Sequence, residues 1–203
     1  MNIHRPNSFH KTLWFICLAI ALLGIWFAFK NTPLPSGIHP YPMIRSGGLF
    51  LIIVGTGIIL GAIVPQYVWY AFGASVFIAS TALTITARSL TAPLGIPTRF
   101  QIGALIVAVI MEFVLIYLLP RLFPPKDEQT FRLLILLIVG IHFLVMTPAF
   151  GPLITTLGTL TIVNAVLGIW KRSQIQPSNI WAVDGILKLG IGAIMLCFPF
   201  IGL

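Results

Sequence analysis

Asp184 and Lys188 stand four residues apart inside "WAVDGILKLGIGAIML", an apolar stretch at 181–196 of a chain that otherwise avoids charge. That spacing places both side chains on one face of a helix, where they can pair. Only four acidic residues exist in the sequence, and Glu112 is a second one within an apolar run, "LIVAVIMEFVLIYLL". His142 in "LIVGIHFLVM" and Asn164 in "TLTIVNAVLGIW" complete the set. A charge at mid-membrane costs about 2.5–3.5 kcal/mol on the insertion scale, so such residues are expected to face a bundle interior and to have partners.

Three kinds of chemistry are open to this set. The first is neutralisation, with Asp184 holding Lys188 as an internal ion pair. The second is proton relay, with Lys188 shared between Asp184 and Glu112 so that one acid titrates. Glu112 itself reads either as a neutral acid hydrogen-bonded across the bundle or as a relay group, and His142 as a packing histidine, a relay or a metal ligand. The third is metal binding, which needs three or four converging ligands; no ligand spacing of that kind is present, and no metal or other cofactor is expected. His39, in a proline-rich loop, has no second ligand nearby and reads as a surface residue. Asn164 is expected to tie helices together.

The elements that carry these residues follow from composition. The chain has 203 residues, 58% hydrophobic and 8% charged, with mean hydropathy +1.04. A soluble domain needs roughly 25% charged residues to dress its surface. A chain this poor in charge has lipid as its solvent. The net charge of +8 sits mostly at the ends of apolar runs, where bases face anionic headgroups. No basic surface with interleaved aromatics occurs, so no nucleic-acid partner is expected. Cys17 and Cys197 lie inside apolar runs as small buried hydrophobes, not as a disulfide framework.

An all-α integral membrane protein of about seven spans is expected, forming a single polytopic domain over 1–203. The spans read as 12–29, 46–64, 67–86, 102–119, 132–150, 153–170 and 180–200, each close to the roughly 20 apolar residues a crossing needs. Continuous rather than alternating apolar runs select helices over barrel strands. The first run exceeds the length of a signal-peptide core and has no cleavage site after it, so it reads as an uncleaved span. The tight turns "PQ" at 65–66 and "GP" at 151–152 leave six or eight spans as alternatives. With the N-terminus cytoplasmic, Arg5, Lys11, Arg121, Lys126, Arg132, Lys171 and Arg172 lie inside. Lys30, Arg45, Arg88 and Arg99 then lie outside, and the excess favours that orientation. The five tryptophans lie near span ends, as interface anchors do. A bacterial plasma membrane is the default location.

Counted from the inner ends of these spans, the five polar residues lie about 5–10 residues deep, in a slab roughly 7–15 Å below the boundary at 1.5 Å per residue. Around them, "GIILG" offers Gly57 and Gly61 as a close-packing face, within the chain or between copies. The hydroxyls of Ser75, Ser80, Thr81, Thr84 and Thr86 can bond their own helix and do not make a pore. An internal echo joins "LLGIW" (22–26) to "VLGIW" (166–170), each followed by a glycine-bearing span: "GLFLIIVGTG" at 48–57 and "GILKLGIG" at 185–192. An inverted repeat of the transporter kind would leave such a trace.

Three functions compete on this reading. A non-catalytic membrane module would bind or stabilise a lipid, a membrane-protein partner or a second copy. A proton- or ion-coupled small transporter, or a subunit of one, would use the Glu112, His142, Asn164, Asp184 and Lys188 layer. An intramembrane enzyme would need a positioned nucleophile or metal. No catalytic residue is assigned, because neither H-E-x-x-H, G-x-S-x-G, C-x-x-C nor paired glutamates occur.

Overall fold

The computed structural model describes residues 39–122, 127–171 and 173–199. The expected span at 12–29 lies outside the described residues, with Cys17 and the bases Arg5, Lys11, Lys30, Lys126 and Arg172. The rest is helical: α1 (Ile44–Ile63), a 3-10 turn (Pro65–Tyr67), α2 (Val68–Thr91), α3 (Arg99–Leu122), α4 (Glu128–Val145), the single turn α5 (Thr147–Phe150), α6 (Pro152–Trp170) and α7 (Pro177–Cys197). No strand occurs among the described residues. Six of these helices are long and apolar enough to cross a membrane.

The tight turns have plain causes. Pro65 opens the 3-10 turn that reverses the chain after α1, where its missing N–H leaves no bond unmade. The expected 132–150 span divides: α4 ends at Val145, and Pro148 sits in the first turn of α5. Gly151 then takes φ +86, and Pro152 starts α6. A side chain at 151 would be strained by that φ and would meet the Tyr41 ring at 2.7 Å. "TPAFGP" is therefore a turn between two antiparallel helices.

Helix α1 is the axis of the bundle. Of its spanning window 78% is buried, against 17% for α2 and 11% for α3. It is apolar on every side, as a helix enclosed by neighbours must be, and its glycines are distributed among those neighbours. Gly48 and Gly55 face α7, where Gly192 and Gly185 answer them in antiparallel register. A Cβ on Gly48 would lie 2.6 Å from the Gly192 carbonyl oxygen, and one on Gly55 would lie 2.8 Å from that of Gly185. The reverse holds for Gly192 against Gly48 and for Gly185 against Gly55, at 2.8 and 2.9 Å. Both pairs are seven residues apart, two helical turns, so the axes stay close along much of their length. These are glycines of the two echoing segments, 48–57 and 185–192. They meet face to face.

Gly57 and Gly61 face α2 within the same chain. Gly57 leaves room for Ser75 and Gly61 for Val68. A parallel device joins α4 to α6, where Gly140 and Gly158 each lie against the other's backbone oxygen. The five α2 hydroxyls turn back on their own helix, Ser75 to Phe72 O, Ser80 to Val76 O, Thr81 to Phe77 O, Thr84 to Ser80 O and Thr86 to Ala82 O.

The segment before α1 straps one end of the bundle, and here the structure corrects two readings. His39 is not a surface residue. It is 2% exposed, its Nε2–H donates to Pro199 O at 2.8 Å, and its Nδ1 accepts from the Tyr41 N–H at 3.0 Å. Arg45 does not lie in a solvated loop. It is 3% exposed in the first turn of α1, and its Nε donates to Leu196 O at 3.2 Å. A cation against the last carbonyls of α7 satisfies groups that have no partner in their own helix and suits the negative end of its dipole. Ser46 with Thr91, and Gln101 with Pro40 O, tie α2 and α3 to the same end. Successive long helices therefore run alternately away from and toward His39.

Two outcomes follow. Gly192→Val should lose about 1–3 kcal/mol, since its added carbons meet helix backbone and not a movable side-chain tip. Gly190→Ala, on the same helix with nothing within 4 Å, should be neutral or stabilising by up to about 1 kcal/mol through helix propensity. Thermal unfolding in detergent separates them, and equal behaviour would sink the glycine crossing. Second, a single helix, α3, joins Gly95 to Asp127. In a chain freed of its own thiols, cysteines at 95 and 127 should react with an impermeant reagent from opposite faces of a vesicle. Labelling from one face would mean that α3 does not cross.

Candidate functional site

The polar layer is built from four helices, and the glycine crossing positions its centre. Asp184 and Gly185 occupy one turn of α7. With Gly185 seated against Gly55, Lys188 is drawn one turn further along the same face, its Cβ only 3.0 Å from where a Gly55 Cβ would be. The space an ordinary residue would fill at 55 holds the lysine stem. Asp184 is 0% exposed and Lys188 1%. Lys188 Nζ donates to Asp184 Oδ2 in an ion pair. The other carboxylate oxygen accepts from Thr161 Oγ1 at 3.0 Å, and the ammonium lies 5.3 Å from the centre of the Phe143 ring. A buried ion pair holds only when the remaining polar atoms are also satisfied. Thr161 and Phe143 perform that work from α6 and α4, the latter through the electron-rich ring face.

Asn164 lies one turn from Thr161 on α6, and its Nδ2 donates to Ile180 O at 2.9 Å. That carbonyl is in the first turn of α7, so Asn164 and Thr161 together fix α6 to α7 across the site. Gly168 continues the same face, packing on Ile180 and Leu133.

Glu112 and His142, each without a charged neighbour in its own helix, are partners. His142 Nδ1 lies 3.2 Å from Glu112 Oε2 and 3.0 Å from Ala108 O. The Ala108 carbonyl can only accept, so Nδ1 carries a hydrogen and shares it between the two oxygens of α3. The pair is less enclosed than the other: the His142 side chain is 7% exposed, that of Glu112 26%. Its difference in exposure from Asp184–Lys188 follows from α3, the least covered of the six long helices described.

The five residues thus form two centres and a clamp. Asp184 and Lys188 make one centre, Glu112 and His142 the other, and Asn164 clamps α6 to α7. The two centres touch through Phe143, which stacks edge-on against His142 and lies beneath the Lys188 ammonium. Because the helices overrun their apolar stretches, the layer sits about 9–21 Å from the Gln176 end at 1.5 Å per residue, nearer mid-bundle than the sequence depth. Among the described residues no group of three or more His, Cys, Asp or Glu could hold a metal ion.

Thr161 escaped the sequence reading. Its signal was its place three residues before Asn164, which puts both on one helix face. Trp181, placed near a span end as an interface anchor would be, is instead 3% exposed and packed edge-on against Trp69 and Phe72. Its neighbour Trp170, 75% exposed at the end of α6, keeps the anchor's position.

The pair geometry predicts an ordering of stability losses. Asp184→Asn strands a buried ammonium and should cost about 3–5 kcal/mol. Thr161→Val removes one hydrogen bond to a charged group, about 1.5–3 kcal/mol. Asp184→Asn with Lys188→Met removes both charges and should recover most of the first loss. Unfolding midpoints of the three variants check this, and a double variant as unstable as Asp184→Asn would mean that the two charges are not each other's main partner.

Comparison with curated proteins and with solved structures returns no match. A family model does match, over residues 37–199, which takes in His39, the seven described α-helices and every residue of the polar layer. The chain belongs to the family of unknown function DUF6609.

Proposed function

We propose that this protein is a non-catalytic integral membrane module, with its N-terminus cytoplasmic in a bacterial plasma membrane, that binds or stabilises a lipid or a membrane-protein partner. The observation that carries the reading is the sealing of the Asp184–Lys188 pair, 0% and 1% exposed with Thr161 completing the carboxylate. A carrier's coupling site must meet water from one side at a time. A pair enclosed by α1, α4, α6 and α7 serves instead as an internal tie, neutral as a unit, holding four helices in one arrangement. Among the described residues, the faces left for a partner are those of α2 and α3, only 17% and 11% buried. They carry exposed large apolar side chains such as Tyr70, Phe77, Phe100 and Phe113. Lipid meets them by default, and a partner helix would meet them through the same packing.

A second reading has an observation of its own. Glu112 and His142 are within hydrogen-bond reach and the Glu112 side chain is 26% exposed, the pattern of an acid–base pair that could pass a proton. A small proton-coupled transporter would use that pair, and Asp184–Lys188 would still be structural.

Reconstitution separates the two. In liposomes under an imposed proton gradient, the wild type and Glu112→Gln should both leave a trapped pH dye decaying as in protein-free vesicles. A cysteine at 188, in a chain freed of its own thiols and also carrying Asp184→Asn, should resist thiol reagents from both faces. Proton flux through the wild type that Glu112→Gln abolishes would replace the module by the carrier.

A further inference from the structure

At the end of the bundle opposite His39, a cavity of about 200 Å³ opens between the last turn of α1, the start of α2, the first turns of α4 and the beginning of α7. Gly61 and Val68 form its apolar wall, and its polar wall is Arg132, Gln176, Ser178 and Trp181. We propose that this cavity binds a phosphate-type oxyanion, independently of the polar layer and of the function assigned to it above.

Three features of the wall favour an anion and little else. First, its polar side chains hold hydrogen-bond donors in places where no acceptor meets them. The Arg132 Nε and Trp181 Nε1 are both buried, and neither has a hydrogen-bond partner. Trp181 is 3% exposed and the Arg132 side chain 18%. Buried donors are paired in the great majority of cases, so two within one cavity wall call for an acceptor. Second, Arg132 brings a permanent positive charge. Its Nη2 is engaged at 2.5 Å by Glu128, but that carboxylate stands 65% exposed, where an ion pair is weak. The Nε–H of the guanidinium is left without an acceptor and can give one charge-assisted hydrogen bond to a second oxyanion.

Third, the beginning of α7 forms the remaining wall. Gln176 stands at its N-cap without a side-chain hydrogen bond to the first turn, and that turn contains no acidic residue. The positive end of a 21-residue helix therefore lies beside the cavity with no internal anion to neutralise it. The Ser178 hydroxyl adds a rotatable donor. A dipole end alone would mean nothing; here it coincides with an arginine and two orphaned donors.

Size narrows the ligand. Pockets for drug-sized molecules run to roughly 300–1,000 Å³, and this cavity is smaller. It fits a phosphate group, free or at the head of a lipid whose tails run beside the helices. Both sources present the same tetrahedral oxygens, and the test distinguishes them.

The test uses the full chain in micelles of a maltoside detergent, which carries no phosphate, with inorganic phosphate or phosphatidylglycerol titrated in. The readout is the thermal unfolding midpoint, which rises with any ligand that binds the folded state alone. Two variants act as controls: Arg132→Gln removes the charge, and Trp181→Phe removes the indole N–H but keeps a ring against Trp69 and Phe72. The midpoint of the wild type should rise, and each variant should need about tenfold more ligand or beyond for the same shift, the loss of one hydrogen bond to a charged group. A rise with inorganic phosphate in the lipid-free micelles assigns a free anion. A rise only with phosphatidylglycerol assigns a lipid headgroup. No rise in the wild type, or an equal response from either variant, overturns the proposal.

Discussion

The ion pair between Asp184 and Lys188 is the constraint around which the bundle is arranged. Taking a carboxylate and an ammonium out of water costs several kcal/mol per ion even after relaxation, and their attraction repays it only when the remaining polar atoms are met. Each neighbour can be understood as part of that repayment. Thr161 supplies the hydrogen bond to the second carboxylate oxygen, and Phe143 turns its ring toward the ammonium. Gly55 yields the volume occupied by the lysine stem. Remove any of them and a charge is left short of company in a medium that offers none.

The glycine crossing makes this economy of space possible. Two antiparallel helices that approach through Gly48–Gly192 and Gly55–Gly185 have no side chains between them at those points. Helix association inside a bilayer draws on packing and not on expulsion of water, so close backbone approach is how it gains contact. The same crossing sets the azimuth of α7 and so determines which helices Asp184 and Lys188 face. At the His39 end, Arg45 binds the Leu196 carbonyl of α7 and His39 that of Pro199 just beyond it, and they hold the crossing at its end as well as its middle. One helix pair is thus fixed by glycines, by a buried ion pair and by a side-chain cap.

Coverage falls away from that pair. Among the described residues, helix α1 is enclosed, α2 and α3 are largely bare, and the Glu112–His142 pair stands on the boundary between the two regimes. An acid–histidine contact at partial exposure and a sealed acid–lysine contact are chemically alike, yet they serve different purposes once their surroundings are known. On the proposed reading the sealed pair holds the shape and the bare faces of α2 and α3 meet the lipid or a partner.

The sequence by itself determined the elements and their fitness for a membrane. Low charge and continuous apolar runs dictate helices of membrane-crossing length, because backbone polar groups in such a run can be satisfied only within the helix. It also determined the Asp184–Lys188 contact, since a four-residue spacing is local geometry, and it marked Glu112, His142 and Asn164 as residues too costly to leave in lipid. Only the tertiary structure decided who meets whom across helices. Nothing in "LIVAVIMEFVLIYLL" names His142 as the partner of Glu112, because the pairing depends on the rotation of α3 against α4. Nor does "TLTIVN" announce that Thr161 serves Asp184. The echo between 48–57 and 185–192 was visible as a pattern, but its physical meaning lay in three dimensions: matching glycines spaced by two turns lie opposite one another when the helices run antiparallel. Arg45, His39 and Trp181 were misplaced for the same reason. Proximity to a span end sets a residue's depth along a helix, while burial depends on which neighbour covers it, and that is a property of the packed bundle.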